Sequence, residues 1–107
     1  MKKFYRHGDV NLHQVDKVFG KKIETHGKYI LARGEATGSV HEISTKNPDN
    51  LEVYENEGTI FVRVSEPAEV THTHDHETIT IEPGIYKQVP EREVDHFAGS
   101  LTKKVID

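Results

Sequence analysis

Hydrophobic and polar residues alternate along much of this chain with a period of two residues. The segment 10–15 reads Val-Asn-Leu-His-Gln-Val and the segment 78–81 reads Thr-Ile-Thr-Ile, while 28–33 and 40–43 are further apolar-rich segments of strand length. A period of two is typical of strands that bury one face, because successive side chains point to opposite sides. With no sustained 3.6-residue period, the sequence predicts an all-β fold of short, mainly antiparallel strands, as a small barrel or a sandwich.

Turn-forming residues separate the predicted strands at intervals of about ten residues. The tripeptide Asn56-Glu57-Gly58 stands between two strand-like runs and predicts a β-hairpin, and Pro83-Gly84 predicts a turn before the last strand. Residues 16–27 and 45–50 are predicted to be surface loops. Because no repeat, low-complexity segment or linker interrupts the pattern, we expect residues 1–107 to form one domain.

The composition indicates a thin hydrophobic core. Hydrophobic residues make up 34% of the 107 residues, and the chain has no Trp and no Cys. A domain this small with so little apolar material is expected to gain stability from a metal, a partner chain or both, and we expect a homo-oligomer. Without thiolates, any metal site must be built from histidines and carboxylates.

The charge pattern and the apolar runs exclude several classes of partner at this stage. The formal net charge is −4, with acids and bases mixed along the chain, which argues against a protein that binds the nucleic-acid backbone. No apolar run approaches the length of a membrane span, and no signal-peptide core follows the first residues. We therefore expect no nucleic acid, no membrane and a cytoplasmic location.

The strongest chemical signal is the His-Thr-His-Asp-His run at residues 72–76. On an extended strand His72, His74 and His76 share one face, and neighbouring Cα atoms on that face are about 6.5–7 Å apart. Two neighbouring imidazoles can therefore bind one divalent ion, with Zn²⁺ as the expected metal, but all three cannot reach a single ion from a flat strand. A further ligand must come from another strand, and His41 is the predicted one.

The segment that leads to His41 supplies the other candidate residues. Gly34 and Gly38 bracket Glu35 and Thr37, which allows unusual backbone angles and close approach to a ligand. If the protein is an enzyme, the expected chemistry is hydrolysis by metal-bound water, with Glu35 or Glu77 as the general base.

The alternative interpretation is a module without catalysis. Such a module would bind a small anionic ligand or a partner protein through Arg6, Arg92 and the 34–38 turn, with the Thr37 hydroxyl as a donor. A structural or assembly protein of a phage-type particle is a third possibility.

Three blocks of the chain resemble a family of small, functionally uncharacterised β-proteins of bacterial and phage-type genomes. Residues 6–10 read Arg-His-Gly-Asp-Val, residues 34–41 read Gly-Glu-Ala-Thr-Gly-Ser-Val-His, and the third block runs from His76 through Pro83-Gly84-Ile85-Tyr86 to Arg92-Glu93. Relatives have a His where this chain has Ser39. The resemblance implies a compact β-fold in which histidine-bearing strands meet, and it implies no particular reaction.

Overall fold

Ten strands and one short 3-10 turn are the regular elements of the described part of the computed structural model. The model describes residues 2–8, 10–33, 40–72 and 78–90, with Pro90 described by its backbone alone. The strands are β1 (Phe4–His7), β2 (Val10–Val15), β3 (Lys21–Ile23), β4 (Lys28–Arg33), β5 (Val40–Ser44), β6 (Leu51–Asn56), β7 (Thr59–Val64), β8 (Ala68–His72), β9 (Thr78–Ile81) and β10 (Gly84–Pro90). The 3-10 turn, Pro48–Asn50, precedes β6.

The strands form two sheets. A six-stranded sheet has the order β1-β2-β10-β7-β6-β3, and a four-stranded sheet has the order β4-β5-β8-β9. All recorded pairings are antiparallel. The predicted all-β class is confirmed. The two sheets do not close into a barrel, so of the two predicted architectures the sandwich is the one that forms.

The hydrophobic core lies between the two sheets because each strand contributes alternate residues to the inner layer. A single buried cluster draws on both sheets and comprises Val10, Leu12, Leu31, Ile43, Leu51, Val53, Val62, Val64, Ala68, Val70, Ile81 and Tyr86. The period-two pattern of the sequence is therefore the pattern of burial. It also determines which polar residues share the inward face with this core.

The predicted hairpin at residues 56–58 forms between β6 and β7. Glu57 and Gly58 have φ values of 51° and 84°, the two positive angles that a type I′ turn requires. This turn has the twist that suits the flanking antiparallel strands, so the local sequence and the pairing agree.

Two connections differ from the sequence prediction. Strand β3 lies inside the predicted 16–27 loop and pairs with β6, with Lys22 opposite Tyr54. Pro83-Gly84 joins strands of different sheets, so β10 does not return alongside β9. Tyr5 and Tyr86 hold this crossing: the Tyr5 hydroxyl accepts a hydrogen bond from the Glu82 amide at 3.1 Å, and the Tyr86 hydroxyl donates to the Glu82 carbonyl at 2.7 Å.

Two polar side chains link elements of the sandwich. Glu66 accepts hydrogen bonds from the amides of Lys46 and Asn47 and from the side chain of Asn50, which fixes the 45–50 connection. In β4 the pairing register shifts at Leu31, and the Gln88 side chain of the other sheet donates to the Leu31 carbonyl at 2.9 Å. Among the described residues no helix is long and apolar enough to cross a membrane.

Candidate functional site

Three histidines meet at one end of the hydrophobic core. They are His7 on β1, His41 on β5 and His72 on β8, so they come from both sheets. No local motif groups these histidines, because positions 7, 41 and 72 are far apart in the chain. The fold brings them together.

The four-stranded sheet places His41 directly opposite His72. The two residues are register partners across the β5–β8 pair, and the next inward pair along these strands is Ile43 opposite Val70. Cross-strand partners share one face of a sheet, and residues two apart on a strand do so as well. Both imidazoles therefore lie on the inward face, where the core ends.

His7 reaches the same place from the six-stranded sheet. It is the register partner of Val10, a fully buried core residue, and therefore also faces inward. The Nδ1 atoms of His7 and His41 are 2.8 Å apart, a hydrogen-bond distance at which one ring nitrogen donates and the other accepts. This contact joins the edge strand β1 to the centre of the opposite sheet.

The spacing of the three rings is compact. Ring centroids are 4.9 Å apart for His7 and His41, 4.5 Å for His41 and His72, and 6.4 Å for His7 and His72. The planes of His7 and His41 are perpendicular, and those of His41 and His72 are inclined at 50°. The ring planes are therefore inclined to one another rather than stacked face to face.

Gly8 packs its backbone against the His41 ring. Its φ of +62° is in the left-handed region, and an added Cβ would lie 2.7 Å from His41 Cε1 and 3.2 Å from Nε2. Real Cβ atoms do not approach carbon atoms so closely, so a side chain at this position would have to displace the ring. The residue after His7 is therefore a glycine that leaves room for the His41 ring.

The cluster is largely removed from solvent in the described structure. His7 is 3% exposed and His41 is 9% exposed, while His72 is half-buried. The carboxylate next to His41 in sequence, Glu42, belongs to the opposite face of β5, opposite Thr71. As the side chains are oriented, no group of three or more His, Cys, Asp or Glu within the described ranges is arranged to hold a metal ion.

The sequence-predicted site residues are distributed as follows. His41 and His72 are brought together, and their role as ligands stays a prediction. Arg6 is exposed on β1, and its side chain belongs to the face opposite His7; its Nε donates to the Gly8 carbonyl at 3.4 Å. The residues outside the described ranges are Glu35, Thr37, His74, His76, Glu77 and Arg92.

Sequence reasoning missed His7. The residue stands in the Arg-His-Gly-Asp-Val block that the sequence analysis quoted, but only as part of a resemblance. The available signal was a histidine followed by a glycine at the end of an alternating segment, which predicts an inward polar side chain beside a left-handed residue. Nothing local indicates that its partner lies 34 residues away.

Comparison with known proteins yields one family. The family model described as "Domain of unknown function (DUF8820)" matches residues 6–90. This range includes His7, His41 and His72, together with every described strand from β2 to β10. Searches of the curated proteins and of the solved structures find no significant match.

Proposed function

The chain belongs to the DUF8820 family, a family of uncharacterised proteins, and from the geometry of the site we propose that it is a divalent-metal-binding β-protein whose ligands include His7, His41 and His72. One observation carries the proposal: imidazoles from both sheets converge at one end of the core. The proposal keeps the predicted ligands His41 and His72 and adds His7.

The ring spacing supports a shared ion. Three imidazoles bound to one tetrahedral zinc have ring centroids roughly 5 Å apart, given Zn–N distances near 2.05 Å. The ring-centroid separations of 4.5, 4.9 and 6.4 Å in the cluster bracket that value. The Nδ1 atoms of His7 and His41, at 2.8 Å, are closer than the roughly 3.3 Å between two ligand atoms of such an ion, so binding requires them to separate by about half an ångström.

The chemistry of the donors supports the same class of metal. Imidazole nitrogens suit Zn²⁺, Co²⁺ and Ni²⁺, and the chain contains no cysteine to offer a softer ligand set. The neutral imidazole is the form that binds a metal. Zn²⁺ is therefore the ion we propose.

The number of ligands determines what such an ion could do. Three protein ligands leave a fourth position for water, the arrangement of catalytic rather than structural zinc sites. If the site is catalytic, we propose hydrolysis by metal-bound water, with Glu35 or Glu77 as the general base. If His74 or His76 is a fourth ligand, we propose a closed, structural site instead. Substitution experiments decide among these four residues.

The first experiment measures Co²⁺ binding by the untagged protein after treatment with a chelator. Four-coordinate Co²⁺ absorbs visible light strongly, so the titration reports both stoichiometry and geometry. We expect about one ion per chain, and we expect His7→Ala, His41→Ala and His72→Ala each to weaken binding at least tenfold.

The matched control is His26→Ala, which removes a histidine whose side chain is 87% exposed and 4.0 Å from Glu24. His26 precedes the start of β4, whereas the register partner of His41, Ala32, is near the other end of that strand. Circular dichroism of each variant verifies that the strands are retained. If His7→Ala binds Co²⁺ as the parent does while His74→Ala does not, then the ion belongs to the 72–76 run and the two-sheet site is refuted.

A second experiment separates an enzyme from a binding module. With the metal bound, Glu35→Gln and Glu77→Gln are assayed on panels of esters and phosphoesters, and their Co²⁺ affinities are measured alongside. Loss of turnover at unchanged affinity identifies the general base. A metal-loaded parent protein without turnover on any panel member, but with a small anionic molecule retained through purification, supports the binding module instead.

We also propose that the protein is a cytoplasmic homo-oligomer encoded in bacterial or phage-type genomes. Strand β9 supports the oligomer because it is an edge of the four-stranded sheet whose four residues, Thr78–Ile81, are all β-branched and uncharged. Uncharged edge strands of this kind pair readily with another chain. The absence of cysteine from the sequence agrees with a reducing compartment.

A further inference from the structure

The outer face of the six-stranded sheet carries rings and cations in one continuous row. The strand registers align one residue from each strand, in the order Phe4, His13, Lys87, Phe61, Tyr54 and Lys22. Register partners lie on the same face of a sheet, and adjacent strands are about 4.8 Å apart, so the row is about 24 Å long. This face points away from the histidine cluster, which lies on the inner side.

Two aromatic side chains of this face are exposed to solvent. Phe4 is 54% exposed and Phe19 is 51% exposed, and these two are the exposed large hydrophobic residues among those that the structure describes. Phe19 covers Phe61, with ring centroids 5.8 Å apart, and the ammonium group of Lys17 is 6.0 Å from the Phe19 ring. Phe4 packs edge-on against His13 with centroids 4.6 Å apart. Each ring thus packs against a neighbouring ring and is about half exposed.

Charge is segregated between the two outer faces of the sandwich. Among the described strand residues of the six-stranded outer face, the charged ones are four cations and one carboxylate: Arg6, Lys22, Arg63, Lys87 and Glu52. The outer face of the four-stranded sheet is balanced, with two cations and two carboxylates: Lys28, Arg33, Glu42 and Glu69.

The carboxylate does not neutralise the first face. Lys22 and Arg63 both lie 3.7 Å from Glu52 and share its single charge. Lys87 lies at the centre of the row, between His13 and Phe61. The described strand residues of this face therefore include more cations than carboxylates, in a protein whose formal net charge is −4.

We propose that this outer face binds single-stranded nucleic acid. Phosphates would contact Lys87, Arg63 and the neighbouring cations, and bases would stack on Phe4 and Phe19, the combination that sequence-tolerant single-strand binding uses. The proposal departs from the expectation drawn from the net charge, because alternation along the strands sorts mixed charges onto different faces.

The exposed rings favour a single strand over the other polyanions. A duplex keeps the faces of its bases stacked inside the helix, so exposed phenyl rings would gain no partner from it. An acidic protein segment would pair with the cations and leave Phe4 and Phe19 uncovered. The row is also long enough for several nucleotides, with Phe4 and the Phe19-covered Phe61 three strand spacings apart, about 14 Å.

The test is fluorescence anisotropy of a labelled oligothymidylate of about 16 nucleotides. The titrant is the untagged protein in chelator, which removes any metal-bridged contact. We expect saturable binding at about 50 mM salt, and we expect it to weaken steeply towards about 200 mM as counterions compete. A duplex of the same length is expected to bind at least tenfold more weakly.

Paired substitutions locate the binding face. The double variant Arg63→Gln/Lys87→Gln is expected to lose about tenfold in affinity and to have a smaller salt slope, because two phosphate contacts are removed. The control variant Lys28→Gln/Arg33→Gln makes the same change in net charge on the opposite sheet and is expected to change affinity less than twofold. Phe4→Ala is expected to weaken binding about tenfold at unchanged charge.

Several outcomes overturn the proposal. Equal losses in the two charge variants mean that attraction is general rather than local to this face. Tight binding of polyglutamate that displaces the oligonucleotide means that the partner is an acidic protein segment. Binding that appears only where the oligomer dissociates means that a second copy covers this face. Because His41→Ala is expected to bind the oligonucleotide normally, failure of the metal proposal leaves this one testable.

Discussion

Replacing Gly8 with alanine tests whether the histidine cluster is held in its geometry by close packing. The new methyl carbon would lie 2.7 Å from His41 Cε1, whereas nonbonded carbons are comfortable at about 3.5–4.0 Å. The ring would have to move by about 1 Å. It is buried and in contact with His7 at 2.8 Å between Nδ1 atoms, so that movement disrupts the cluster.

The expected cost has two parts. An L residue in the left-handed region costs about 1–2 kcal/mol, and forcing an additional methyl group into a packed site costs about 1–3 kcal/mol more. Gly58→Ala isolates the first part, because Gly58 also has a positive φ, 84°, and an added Cβ there meets nothing within 4 Å. The difference between the two variants is the cost of displacing His41.

Urea unfolding at neutral pH measures this difference. With a slope of about 1–3 kcal/mol per molar urea, an additional loss of about 2 kcal/mol lowers the midpoint of Gly8→Ala by about 1 M relative to Gly58→Ala. If the cluster binds a metal, Gly8→Ala should also reduce Co²⁺ affinity by about 10–100-fold, as changes beside metal ligands do, while Gly58→Ala leaves it unaltered.

The reasoning is refuted if the two glycine variants have the same midpoint and the same Co²⁺ affinity. That result would mean that His41 adjusts without cost and that the close approach of Gly8 has no role in the cluster. Equal midpoints with a loss of metal affinity only in Gly8→Ala would instead confine the effect to the ligands.

Three other predictions concern the rest of the fold. Hydrogen bonds from Asn50, Asn47 and Lys46 hold the pKa of the Glu66 carboxyl below its usual range. The stability that Glu66 contributes is therefore present above its unfolded pKa near 4.5 and is lost as pH falls through the lower folded pKa. The urea midpoints of Glu66→Gln and of the parent should differ at neutral pH and converge in acid. Gln88→Leu removes the side-chain amide that donates to the Leu31 carbonyl and should lower the free energy of unfolding by about 1–3 kcal/mol. Gln88→Glu places an acceptor beside that carbonyl and tests whether the loss of stability is larger than in Gln88→Leu. Thr80→Lys places a charge on the exposed edge strand β9 and should shift the mass from oligomer to monomer in light scattering coupled to size exclusion; an unchanged oligomer would place the interface elsewhere.

The fold class and most strands could be predicted because each depends on local pattern. The segment 10–15 alternates strictly and is β2, and Glu57-Gly58 supplies the two positive φ angles of its hairpin. Strand β3 could not be predicted, since Lys21–Ile23 has one apolar residue and is ordered by pairing with β6. The turn at Pro83-Gly84 was recognisable, but its sequence does not reveal that it passes from one sheet to the other.

The candidate site was predictable only within one sheet. Alternation places His72 on the face of Val70 and His41 on the face of Ile43, and the order of neighbouring strands brings the two histidines opposite each other. His7 enters from the other sheet, and how two sheets are superposed is determined by packing over the whole core. The cation-rich outer face could not be predicted for a related reason. The net charge of the chain does not show which face of a sheet each charged residue occupies, whereas the strand register does.

The origin of the three histidines in two sheets has a consequence for the order of folding events. Each sheet can pair its own strands first, but the His7–His41 contact forms only when the sheets dock, and it closes a loop of 34 residues. An ion held by all three histidines would then stabilise the native state without stabilising a transition state in which docking is incomplete. In stopped-flow kinetics, metal should slow unfolding and leave the refolding rate nearly unchanged, whereas faster refolding would mean that the two sheets meet at this end first.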